Sequence, residues 1–134
     1  MWPWRGGVFG EREAPLYEIK ANLFKALAHP VRIRVLEILA ASPDGSCAVS
    51  VLLEGTGLEA SHLSQHLATL RRCGVVTSVR SASTVTYSLA SPAVAQMLAA
   101  ARVFLLESLA GAREVLEAAE GLPALGTVPG GPRR

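Results

Sequence analysis

The chain has 134 residues, a mean hydropathy of +0.33 and a formal net charge of +2, with 50% hydrophobic but only 18% charged residues, which gives room for one domain and not two. So much aliphatic content in a short chain is hard to bury within one protomer and points to an oligomer. The opening Met1-Trp2-Pro3-Trp4-Arg5-Gly6-Gly7 has no apolar h-region, and the apolar stretch 93–112 is broken by Gln96, Arg102 and Glu107, so neither a secretion signal nor a membrane span is expected. Two cysteines, Cys47 and Cys73, make no disulfide framework and no Cys-x-x-Cys pair, which fits a reducing cytoplasm.

Charge is unevenly placed. Residues 60–106 carry Arg71, Arg72, Arg80 and Arg102 and no acid, whereas 107–120 carry four glutamates against Arg113 alone. A polyanion can approach the first segment and not the second. A basic but merely solvated surface would give the same count.

In chain order, residues 1–13 mix Gly, Pro and charge without a period, and 121–134 repeat that composition, so both ends read as disordered tails around a domain at 14–120. Leu16, Ile19, Leu23, Phe24 and Leu27 fall at helical spacing over 15–28, and His29-Pro30 ends that helix and starts another. The second helix, 31–41, turns Val35, Ile38 and Leu39 inward and stops at Ser42-Pro43-Asp44-Gly45. A short third helix covers about 48–54. After Gly55-Thr56-Gly57, a fourth helix over 59–72 has Leu63, Leu67 and Leu70 on one face and Ser61, His62, Gln65 and Thr69 on the other.

Beyond Gly74 the period falls to two, with Val75, Thr77, Val79 on one run and Val85, Tyr87, Leu89 on the next, joined by Ser81-Ala82-Ser83 as a β-hairpin. Ser91-Pro92 opens a final helix to about Glu120, with Val94, Leu98, Ala101, Leu105, Ala112 and Leu116 in a seam near heptad spacing. The expected fold is mainly α with a β-hairpin wing, in the order four helices, hairpin, helix.

Two short helices about a glycine turn, the second apolar on one side and small-polar on the other, form a helix-turn-helix signature; the hairpin makes it winged. Such a helix docks its leucines on the core and offers Ser61, His62, Ser64 and Gln65 to base edges in a major groove of double-stranded DNA. Thr69, Arg71, Arg72 at the helix end and Arg80 on the hairpin stand where backbone phosphates would lie.

These residues resemble the ArsR/SmtB winged-helix transcriptional regulators. The likeness runs from Leu23 to about Leu106 and rests on Leu23-Phe24-Lys25-Ala26-Leu27-Ala28-His29-Pro30-Val31-Arg32-Ile33-Arg34-Val35-Leu36, on Gly57-Leu58, on Ser61-His62-Leu63-Ser64-Gln65-His66-Leu67, and on Leu70-Arg71-Arg72-Cys73-Gly74-Val75-Val76. The resemblance implies a homodimer built from the first and last helices, reading an inverted repeat and usually acting as a ligand-released repressor. It places Leu16, Ile19, Leu23, Val94, Leu98, Ala101 and Leu105 at the dimer interface, and the heptad seam agrees independently.

Two positions depart from the family pattern. Glu59 replaces a Ser or Thr helix cap with a carboxylate that would repel a nearby phosphate, and the wing tip lacks Gly and basic residues. They motivate an alternative, a winged-helix protein-interaction module with weak or no DNA binding.

Relatives that sense metals use His and carboxylates of the last helix, which here holds neither His nor Cys, and His29, His62 and His66 do not pair at tetrahedral metal-site spacing. No metal and no cofactor is expected. Cys47 and Cys73 read first as small buried hydrophobes and second as redox- or ligand-sensing thiols; a small-molecule or redox effector stays open. Nothing reads as an enzyme: there is no acid pair on one face, no Ser/His/Asp set and no phosphate-cradling glycine loop.

Overall fold

The structure, a computed structural model, describes residues 14–121. The expected tails, 1–13 and all of 121–134 but Gly121, lie outside the described residues, Trp2 and Trp4 among them. The described chain runs α1 (Ala14–Leu27), α2 (Pro30–Ala41), a 3-10 turn (Pro43–Gly45), β1 (Ser46–Ala48), α3 (Val49–Thr56), α4 (Ala60–Cys73), β2 (Val76–Ser81), β3 (Thr84–Leu89) and α5 (Pro92–Glu120).

The helix boundaries follow from local chemistry. Pro30 stands in the first turn of α2, where its missing amide hydrogen is not needed, and the His29 imidazole caps that helix by accepting from the Val31 amide at 3.1 Å. At the far end the Ser42 hydroxyl donates to the Ile38 carbonyl at 2.7 Å. Gly57 and Gly74 close α3 and α4 in the left-handed region, at φ 69° and 83°, where a β-carbon would be strained.

The expected hairpin is part of a three-stranded antiparallel sheet in the order β1-β3-β2. β2 and β3 pair from Val76 opposite Leu89 to Ser81 opposite Thr84, so the wing turn is only Ala82-Ser83, with Ala82 at φ 54°. β1, which no periodicity announces, pairs Ser46 with Ser88 and Cys47 with Tyr87, and the Ser46 and Ser88 hydroxyls lie 2.6 Å apart.

One core gathers Leu27, Val35, Leu36, Leu39, Leu52, Leu63, Leu67, Leu70, Val75, Val76, Tyr87 and Val94. Leu36 is fully buried although the periodicity singles out Ile38, which is half-buried. Leu70 is also fully buried, and Leu70→Ala is expected to lower the unfolding free energy by about 3 kcal/mol through lost transfer energy and the cavity left behind, read as a lower urea midpoint at unchanged m.

Within the described residues the chain divides inside α5 into two compact units, one up to Leu98 and one from Ala99. The physical reason is that every described residue from 99 to 121 is exposed, so the second unit's helix has no buried side chain of its own. Val103, Phe104, Leu105, Leu106, Leu109, Val115 and Leu116 are all more than half exposed there.

Candidate nucleic-acid interface

The site is built on α4. Leu63, Leu67 and Leu70 sit one or two turns apart and are all buried, which fixes which side of the helix faces the core. Ser61, His62, Ser64 and Gln65 are consequently exposed together on the other side, over the helix's first turn and a half. Glu59 occupies the cap position of α4, but its side chain makes no capping bond, so its carboxylate leaves the first amides of α4 uncapped.

The arginines differ in setting. Arg71 reaches from the last turn of α4 to the wing, its Nη1 donating to the Ser78 hydroxyl at 3.4 Å. Arg72 donates from Nη2 to the Thr69 hydroxyl at 3.3 Å, and that hydroxyl donates in turn to the Gln65 carbonyl at 3.2 Å. Thr69, expected to meet a phosphate, thus spends its only proton inside α4 and serves to hold Arg72.

Between α4 and the wing lies an open cavity of about 690 Å³. Its floor is Leu63, Leu67, Val85 and Tyr87; its polar rim holds Ser64, Arg71 and Arg80 together with Ser50, Ser78 and Thr84. Thus three of the expected contact residues converge on one groove, while Arg72 lies off it. Ser50, Ser78 and Thr84 were not among the expected contacts; Ser50 lies in the first turn of α3 and the other two sit on paired strands, and only tertiary packing brings them to the groove beside α4.

The expected dimer residues separate into two groups. Val94 is 7% exposed and belongs to the protomer's own core, which corrects its assignment to the interface. Leu23 and Leu98 are half-buried against that core. Leu16, Ile19, Ala101 and Leu105 are exposed and available to a partner.

Helix α5, 29 residues long, also meets the length and composition test for crossing a membrane, with an 18-residue window of mean hydropathy 1.5, which overturns the expectation that Gln96, Arg102 and Glu107 would break such a stretch. Its charges are one-sided, however. At about 100° per residue Arg102, Glu107, Arg113, Glu114, Glu117 and Glu120 fall within an arc of about 140°, and Ala101, Phe104, Leu105, Leu109, Ala112, Val115 and Leu116 fall on the opposite side. Val103 and Leu106 lie within the charged arc, so α5 has one mixed face and one face free of charge.

Both cysteines are reduced and pack half-buried against the core. Burial pushes the Cys47 thiol above its ordinary range, with a Ser42 hydrogen bond working weakly the other way, so little reactive thiolate forms there near neutral pH. Among the described residues no three His, Cys, Asp or Glu side chains are gathered where they could hold a metal ion.

Residues 29–78 match the family described as bacterial regulatory protein, arsR family. The chain is 48% identical over 103 residues to the HTH-type transcriptional regulator Rv0081 of Mycobacterium tuberculosis, covering 77% of this chain and 89% of that protein. Its crystal structure superposes with a TM-score of 0.66 at 47% identity, over 72% of this chain and 95% of that one. The solution structure of a homodimeric winged helix-turn-helix DNA-binding domain from Mycobacterium bovis gives a TM-score of 0.67 at 30% identity, over 76% and 92%. The transcriptional repressor BigR from Xylella fastidiosa gives 0.60 at 31%, over 70% and 93%. With the helix pair, the wing and the groove between them in place, the chain belongs to the arsR family of bacterial regulatory proteins, the winged helix-turn-helix transcriptional regulators.

Proposed function

We propose that the protein is a cytoplasmic transcriptional repressor that binds an inverted-repeat operator as a homodimer. The observation that carries this reading is the exposed face of α4, where short hydrogen-bonding side chains are flanked by Arg71 and Arg80 at the rim of one groove. Ser61, His62, Ser64 and Gln65 would meet base edges in the major groove, and the two arginines would meet phosphates on either side. Two-fold symmetry then sets two such helices one DNA turn apart.

The second copy covers apolar surface that water otherwise meets. Leu16 and Ile19 on α1, and separately Leu105, Leu109 and Leu116 on α5, are each more than half exposed. The one-sided charges of α5 favour a partner helix over lipid, because even the apolar stretch 92–112 would carry Arg102 and Glu107 into hydrocarbon, whereas a partner helix can pack on the charge-free face and leave both in water. The dimeric state of the Mycobacterium bovis domain supports the same assignment.

Arg71 and Arg80 are tested through salt. Arg80→Gln is expected to weaken binding to every duplex and to reduce the slope of log K against log salt by about 1 for each phosphate left without its arginine, so by about 2 in a dimer. Fluorescence anisotropy on labelled duplex at several salt concentrations reads it; an unchanged slope would contradict the phosphate role.

A further inference from the structure

We propose that His29 and His66 form a proton-sensitive couple that seats the recognition helix α4 against the start of α2 at neutral pH and loosens it in mild acid. The rings meet across 37 residues of sequence, with centroids 4.4 Å apart and planes tilted by 46°. His66 lies on α4 between the buried Leu63 and Leu67, and His62 lies one turn before it, exposed.

The cap of α2 depends on an unprotonated nitrogen. His29 accepts the Val31 amide on Nδ1, so its neutral ring carries the proton on Nε2. A ring carrying protons on both nitrogens has no lone pair left for the Val31 amide, so this bond exists only with Nδ1 unprotonated. Protonation therefore removes the cap of α2 where α4 packs.

The surroundings of His66 also resist a proton. Of the ionisable groups on elements packed against α4, namely Tyr17, Glu18, Lys20 and Lys25 on α1, Arg32, Arg34 and Glu37 on α2 and Arg80 on β2, it is Arg32 that acts on His66. Arg32 has its Nε buried without an acceptor among the described residues. Desolvation, then His29, Arg32 and His62, hold the His66 imidazole below its ordinary value of 6.5.

Linkage sets the sign. Below pH 6.5 the unfolded chain takes up a proton at His66 that the folded chain resists, so this contribution to stability is whole above that pH. It drains away as pH falls through the lowered value. Because α4 carries Ser61, His62, Ser64 and Gln65, the functional consequence, release of DNA in acid, rests on the repressor reading, whereas the couple itself does not.

The test is urea denaturation at fixed protein concentration, at pH 7.5 and 5.5, where Asp and Glu remain ionised. Wild type is expected to lose about 0.5 M in midpoint between the two, within the ceiling that one imidazole sets. His62→Gln, which keeps the ring pair and removes only the last of those influences on His66, should keep more than half of the wild-type loss. His66→Gln should lose less than half of that. His29→Asp, whose carboxylate still caps α2 and now attracts a protonated His66, should hold or gain stability in acid. An unchanged wild-type midpoint, or an equal loss in wild type, His29→Asp and His66→Gln, would overturn the couple. Anisotropy on the duplex upstream of the protein's own gene supplies the second arm: the ratio of affinity at pH 5.5 to that at pH 7.5 should be at least about threefold higher for His29→Asp than for wild type, and equal ratios would overturn the link to DNA release. Absence of duplex binding at either pH, with the urea pattern as expected, would sink the repressor reading and leave the couple standing.

Discussion

Leu105→Glu is expected to convert the dimer to monomers and to remove operator binding at concentrations where wild type is fully bound. Leu105 is 57% exposed and lies in the middle of the apolar side of α5, about 140° or more from the nearest of Glu107 and Glu114 around the helix. Covering a leucine gains about 1.5–3 kcal/mol, and burying a carboxylate without a partner costs more than that is worth. Two-fold symmetry doubles the change, so dimerisation should weaken by about 1,000-fold or more. Because Leu105 has no place in the protomer core, the urea midpoint of the monomer should hardly move. Analytical ultracentrifugation reads the first effect, and a variant that sedimented as wild type would show that α5 does not form the interface.

Gln65→Ala should act on selectivity while leaving the fold intact. The residue is exposed on α4, its side chain has a donor and an acceptor to offer one base, and its backbone carbonyl is held by Thr69. Removing one such pairing costs about 1–3 kcal/mol, and a dimer loses it twice, so operator affinity should fall by about 30-fold or more. Binding to random duplex should stay within about twofold. Competition titrations separate the two, and equal losses on both duplexes would remove Gln65 from the recognition face.

Much of this is legible in the sequence because local and global preferences agree. The stripe Leu63, Leu67, Leu70 fixes the inner side of α4 and with it the outer side, and Gly74 marks the end of that helix in both the sequence and the structure. Alternation through Val85 and Tyr87 marks the wing, since a hairpin advertises itself within a dozen residues. β1 does not, because three residues are too few to show a period and the strand exists only through β3.

Other features depend on tertiary placement that spacing does not encode. Val94 lies on the heptad seam, yet periodicity says only that a residue is buried and not whose core it enters; here the protomer takes it. Ile38 and Leu36 are both apolar on α2, and packing against α3 and the sheet decides that Leu36 is the one fully enclosed. The same holds for the site. Arg71 meeting Ser78 and His29 meeting His66 join elements whose approach no motif records.

Sequence-specific DNA binding, on which everything functional here depends, is tested most directly by titrating purified protein onto labelled duplex from upstream of its own gene, at two salt concentrations, with random duplex as competitor. The predicted result is a complex of dimer stoichiometry that random duplex fails to displace and that weakens as salt rises. A complex that random duplex removes as readily as the operator itself, or no complex at either salt concentration, would contradict it and favour a winged-helix module that binds a protein instead.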